Sequence, residues 1–145
     1  MLNMFFIGIL CWVSISDIYT RRIPDSAILA AIGFRIFFLM IQEGLVWRGL
    51  IMVILNGLII SLPLLFLVVI CERLLNKYLL GGGDIKLVFV TGIYLGWEKN
   101  LWVLFIACLL GSVFVLLKQK RTETYIHFPF GPSIALAAII SMNFF

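Results

Sequence analysis

Charge is scarce in this chain: acidic and basic residues make up 12% of its 145 positions, against 63% hydrophobic. A soluble domain of this length cannot hide that much apolar surface, which excludes a water-soluble globular protein and makes the chain integral to a membrane. Histidine occurs once, as His127 ahead of a Phe-Pro pair, and the three cysteines, Cys11, Cys71 and Cys108, lie far apart with no C-x-x-C pair. Neither a disulfide framework nor a metal centre is expected from them. The cysteines read as small packing residues and His127 as an interfacial side chain. There is no H-E-x-x-H, no P-loop and no G-x-S-x-G, so zinc, nucleotide and serine-nucleophile chemistry lack their usual sequence carriers. No polar stretch is long enough for a soluble domain, and residues 1–145 read as a single transmembrane domain. The apolar stretch from Leu2 to Ile15 has neither a basic leader nor an A-x-A site, so it reads as a span and not as a removable signal peptide.

Apolar runs extend over 1–16, 26–41, 49–71, 85–97, 100–117 and 128–145, with most charges in the gaps, which predicts an all-α protein of six transmembrane helices. The first, second and fourth runs fall short of the roughly 20 residues that cross a bilayer. Either they continue through flanking polar residues or they end in a thinned or wet region. Pro63, inside the third run, removes one backbone donor and is expected to bend that helix. Basic residues sit mostly in the odd-numbered loops: Arg21, Arg22, Arg73, Lys77, Lys86, Lys118, Lys120 and Arg121, against Arg48 and Lys99 in the even ones. By the positive-inside rule the odd loops are cytoplasmic and both termini lie outside. That topology accounts for the net charge of +4 without a nucleic-acid partner. Arg35 is the exception, a cation within the second run, where it either pairs with a carboxylate or snorkels.

Loops one and three then share a face, which brings Asp17, Asp25 and Asp84 to the same side. Asp17 follows the first run and Asp84 opens the fourth, both at depths where a carboxylate is costly. Gly81, Gly82 and Gly83 precede Asp84; without Cβ atoms they can take positive φ or let another chain approach, and they form a turn into a helix whose dipole favours a carboxylate near its start. Each aspartate also has a plain structural reading: Asp84 as a helix cap, Asp17 as the partner of Arg21 four residues on, Asp25 as a cap after Pro24. Lys86 lies two residues after Asp84 on a different helical face, so it is expected to reach lipid headgroups and not that carboxylate. Two carboxylates facing each other in a poorly solvated site share a proton, and such a pair can activate water against a peptide carbonyl.

Together "SDIYTRRIPD" (16–25), "GGGDIKL" (81–87) and "FPFGPSIALAAI" (128–139) resemble the type IV prepilin peptidases, membrane aspartic proteases of the GxGD class. The three motifs occur in the family's order and span nearly the whole chain. The resemblance implies that fold, and it implies Asp17 and Asp84 as the catalytic pair, with Gly81, Gly83, Lys86, Pro129, Gly131 and Pro132 as the supporting residues around it. Pro129 to Pro132 match the family's Pro-Phe-Gly-Pro element, and Pro132 also suits the first turn of a helix. The implied substrate is a prepilin or pseudopilin, cut at the cytoplasmic side of the inner membrane, with no metal or other cofactor. The partners implied are that substrate and the lipid bilayer; the oligomeric state is left open.

The chain departs from the family twice. It lacks the paired C-x-x-C domain of the longer, methylating members and so looks like a peptidase-only form, and it has Asp25 where asparagine is common. A reading from another class is a small proton- or cation-coupled transporter component using intramembrane aspartates, which explains the carboxylates but not the three motifs.

Overall fold

The computed structural model describes residues 2–20, 22–43, 47–76, 80–119 and 130–144. Its described residues form six α-helices and no strand: α1 (Leu2–Thr20), α2 (Asp25–Glu43), α3 (Trp47–Leu75), α4 (Gly82–Leu95), α5 (Trp97–Gln119) and α6 (Gly131–Phe144). The protein is thus an all-α, multi-pass membrane protein, with α1, α2, α3 and α5 long and apolar enough to cross a bilayer. The two short first runs resolve as continuing helices, since α1 extends through Asp17 to Thr20 and α2 begins at Asp25. α3 passes through Pro63 as one helix.

The fourth apolar run differs from expectation at both ends. α4 begins at Gly82, ahead of the apolar stretch, and stops at Leu95 because Gly96 takes φ +83, a conformation that disfavours side chains. Trp97, expected at the end of that run, instead opens α5. The Gly96 amide closes the last turn of α4 on the Gly92 carbonyl at 3.0 Å, and the Gly96 carbonyl receives the Asn100 amide at 3.1 Å, so a single residue joins two helices.

α4 occupies the centre, packed against α2, α3, α5 and α6, while α1 lies against α2 and α6. Its contact with α3 is backbone to backbone: a Cβ on Gly92 would meet the Gly57 Cα at 2.8 Å and the Asn56 carbonyl oxygen at 2.9 Å. The core around it is built from Phe6, Leu10, Val13, Leu87, Val88, Val90, Val103 and Ile134, with small residues such as Ala107, Ala137 and Ala138 between them. Large apolar side chains including Trp12, Phe37, Phe66, Phe105 and Leu109 point outward, as a lipid-solvated exterior requires. Cys11 and Cys108 belong to that exterior and not to the packed interior expected of them; all three cysteines are free.

Polar groups inside the bundle are bonded, as burial away from water demands. Thr91 donates to the Asn100 side-chain oxygen at 2.7 Å, and the Asn100 amide donates to the Val88 carbonyl at 3.0 Å, both buried. Neither residue stands out in the sequence, yet this contact fastens α4 to α5.

Candidate active site

Four helix ends meet on one side of the bundle. The last turns of α1 carry Asp17, α2 starts at Asp25, α4 starts just before Asp84, and α6 starts at Gly131. Asp17 and Asp84 line a common cavity of about 330 Å³ together with Arg22, Ile23, Asp25, Gly81, Gly82, Gly83 and Lys86. Of the residues singled out in the sequence, Asp17, Asp84, Gly81, Gly83 and Lys86 are therefore brought together. Gly131 joins them through its amide, Pro132 stands next to it in the first turn of α6, and Pro129 lies outside the described residues.

Asp17 is buried, with 6% of its surface exposed. The Gly131 amide donates to its Oδ2 at 3.0 Å. The chain reaches this point by the local logic of the α6 start: Pro132 has no amide to lose and its ring presets a helical φ, while the Ile134 amide bonds back to the Phe130 carbonyl at 3.1 Å. That leaves the Gly131 amide free to face α1, and the positive end of the α6 dipole with it. Only glycine fits there, since a Cβ would lie 2.7 Å from Asp17 Oδ2.

Asp84 stands on the first turn of α4, at the cavity and outside the four long helices. Its amide donates to the Gly81 carbonyl at 3.0 Å, and its carboxylate accepts a backbone hydrogen bond from Gly81. Asp84 thus does fasten the helix start, and it also presents its carboxyl to the cavity. Burial, reinforced by the charge of Asp17, pushes its pKa up to about 6, against the lowering effect of the Gly81 hydrogen bond.

The glycine turn works differently from the expectation of positive φ. Among the described glycines only Gly96 has positive φ. Gly81 is extended, at φ −67 and ψ 138, and Gly83 serves close approach: a Cβ there would lie 3.1 Å from Ile23 Cβ. The first loop therefore rests directly on the turn that precedes Asp84.

Lys86 does not reach out to lipid headgroups. Its Nζ lies 2.6 Å from Asp25 Oδ1, an exposed ion pair that links the first turns of α2 and α4. The reason is register: helices starting side by side bring the second residue after Asp84 over the first residue of α2. The same bond occupies the Asp25 side chain, whose expected role was capping; the Pro24 carbonyl takes the amides of Ala27 and Ile28 instead. Arg21, the alternative partner of Asp17, lies outside the described residues, as does His127. Among the described residues no three His, Cys, Asp or Glu side chains converge as a metal ion would need.

Comparison with known proteins bears on the family of the chain. Two prepilin leader peptidase/N-methyltransferases, one from Aeromonas salmonicida strain A449 and one from Aeromonas salmonicida, are each 35% identical to this chain over 75 residues. Each match covers 49% of this chain and only 25% of the relative, so the shared region is a minor part of those longer proteins. No solved structure matches the chain. The model of the type IV leader peptidase family matches residues 4–116, a stretch that holds Asp17, Asp25 and Asp84, and the chain belongs to that family.

Proposed function

We propose that this protein is an aspartic endopeptidase that removes the leader from a prepilin or pseudopilin at the cytoplasmic face of the inner membrane, with residues 1–145 forming a single peptidase domain. The observation that carries the proposal is the convergence of Asp17 and Asp84, from helices far apart in sequence, on one cavity in a chain of the leader peptidase family. That membership favours the peptidase over a transporter reading of the same carboxylates.

In the proposed mechanism a water sits between the two carboxyls and one ionised oxygen takes its proton as it attacks the scissile carbonyl. The other carboxyl donates toward the developing oxyanion. Asp17 is assigned the base on its donor, since the Gly131 amide at 3.0 Å and the α6 N-terminus offset part of the cost of burying a charge there. Asp84 suits the acid, because it keeps its proton to about pH 6. The ion pair between Lys86 and Asp25 holds the third carboxylate out of the pair.

The basic residues of the odd loops support the inside orientation. Arg22 and Lys86 line the cavity itself, whereas Arg48 and Lys99 stand at the starts of α3 and α5, the opposite ends of the bundle. The deciding experiment is cleavage of a prepilin encoded by the same genome, by the purified protein in lipid. Release of the intact leader by the wild type and its loss in both Asp17→Asn and Asp84→Asn is the expected result. Wild-type cleavage that survives both substitutions would sink the proposal.

A further inference from the structure

Arg35 stands well inside α2, a helix apolar enough to span the membrane, where a cation persists only with partners. Its Nε donates to the carbonyl of Ile93 at 3.3 Å, and its guanidinium lies 5.9 Å from the centre of the Tyr94 ring. Tyr94 returns the contact one turn earlier on α2, its hydroxyl donating to the Ala31 carbonyl at 2.8 Å. The same ring stacks on Phe6 of α1 with centroids 4.0 Å apart. Ile93 and Tyr94 belong to the last turn of α4, where a cation is also favoured by the helix dipole.

These contacts matter because of what they join. Thr91 and Asn100 bind α4 to α5, which follows after the single residue Gly96, so the two helices move as one hairpin. Arg35 and Tyr94 fasten that hairpin to α2 and α1, the helices that carry Asp25 and Asp17. At the other end of α4 the polar link to α2 is the ion pair between Lys86 and Asp25, with side chains 53% and 72% exposed, which water screens and weakens. The contacts at the far end, partly buried and within the apolar span of α2, are the stiffer ones. Asp84 lies nine residues before Ile93, about 13 Å along a continuous helix, so an axial slip at Ile93 is delivered undiminished to the cavity.

We propose that Arg35 is a positioning residue: by holding the last turn of α4 it sets how far that helix projects toward the cavity, and so brings Asp84 level with Asp17. Its effect on catalysis rests on the peptidase reading above, but its effect on geometry does not, and the two are measured separately.

The geometric readout uses Ile23 and Gly83, where a Cβ on Gly83 would lie 3.1 Å from Ile23 Cβ. In the full chain with Cys11, Cys71 and Cys108 replaced by alanine, Ile23→Cys and Gly83→Cys should form an intramolecular disulfide on mild oxidation, scored by mass. Arg35→Met should cut that yield about five-fold or more, because the bond does not form once the Cα atoms part beyond about 7 Å. On the native background the same substitution should lower kcat about ten-fold or more with KM within about two-fold, since small misplacements of reacting groups are felt in the chemical step. Ser141→Ala, which removes a bond of 3.2 Å to the Lys99 carbonyl between α5 and α6, serves as the comparator: whatever its effect on thermal stability, the disulfide yield should hold. An unchanged yield in Arg35→Met, or an equal fall in Ser141→Ala, overturns the proposal. Should Arg35→Met fail to insert, Arg35→Lys keeps the cation but has no Nε–H for Ile93, and a wild-type yield there overturns it as well. A lost yield with no peptidase activity in any variant would sink the peptidase reading and leave the positioning role standing.

Discussion

The backbone amide of Gly131 donates to the Asp17 carboxylate at 3.0 Å across 114 positions of sequence, in a contact closed to solvent. Three constraints meet at this bond: an aspartate that needs a donor, a helix start that has one to spare, and a residue without a Cβ. Gly131→Ala should therefore impair both catalysis and stability. Its methyl group would sit 2.7 Å from Oδ2 and 3.1 Å from Cγ, so the carboxylate must move and lose its donor. Cleavage should fall about 100-fold. Thermal stability should fall by about 1–3 kcal/mol, because the buried Asp17 carboxylate is left without its donor. Initial rates and melting of the purified variant check both halves.

The three cavity aspartates should separate by function. Asp17→Asn and Asp84→Asn remove the proposed acid-base pair and should reduce cleavage to background, a loss of about 100-fold to 10,000-fold. Asp25→Asn and Lys86→Met each break only an exposed ion pair, which contributes about 0–1 kcal/mol, and should keep most of the activity. An inactive Asp25→Asn beside an active Asp17→Asn would mean that the wrong first-loop carboxylate has been paired with Asp84.

The acid role proposed for Asp84 has a pH signature. Its pKa is pushed up to about 6, so the protonated form the mechanism uses is present below that value and is lost as pH rises through it. The alkaline limb of kcat/KM should accordingly fall near pH 6, as a property of the coupled pair. A hydrophobic carbodiimide, which reacts with protonated carboxyls, should label Asp84 less and less across the same window. In Asp17→Asn the labelling midpoint should move to lower pH, because the neighbouring charge that helps raise Asp84 is gone. A midpoint indifferent to Asp17 would deny that the two carboxyls sense each other.

How much of this was legible in the sequence depends on the range of each interaction. Helix number and the two aspartates were readable because apolar runs and the G-x-G-D spacing are local signals. Gly131 entered as a supporting residue only through the family resemblance, and that its amide is the donor to Asp17 was hidden, since nothing in the neighbouring sequence of Asp17 points to it. Lys86 was misplaced for a similar reason: its position relative to Asp84 is fixed by helix geometry, but its reach to Asp25 depends on how two helices sit side by side. The end of α4 was misjudged because hydropathy continues across Gly96 into Trp97 while the backbone does not.

The glycines offer a sharper test of packing. At Gly82 nothing lies within 4 Å of the place an added methyl group would take, so Gly82→Ala should be neutral or stabilising by up to about 1 kcal/mol. Gly92→Ala would push a methyl group against the Gly57 Cα at 2.8 Å and the Asn56 carbonyl oxygen at 2.9 Å, neither of which can step aside. Overpacking of this kind should cost about 1–3 kcal/mol. Unfolding of the two variants in one detergent, under one denaturant, compares them directly.

Orientation is open to labelling from outside intact cells. In a cysteine-free background Thr20→Cys, at the end of α1, should resist a membrane-impermeant thiol reagent. Trp47→Cys, at the start of α3, should react with it. The reverse pattern would turn the cavity to the exterior.

The shortness of α4 bears on how the protein enters the membrane. Its 14 residues measure about 21 Å, well under the roughly 30 Å of the hydrocarbon core, and it is not among the helices apolar enough to cross unaided. Carrying Asp84 and Lys86 at its start, it has little affinity of its own for lipid. A nascent chain that has emerged only as far as Gly96 already offers α4 its packing against α3 and α2, while the cover of α5, with the Asn100 side chain that bonds Thr91 and Val88, comes later. Completion of the cavity is in this way coupled to synthesis of the later helices: the amide that donates to Asp17 leaves the ribosome only with α6.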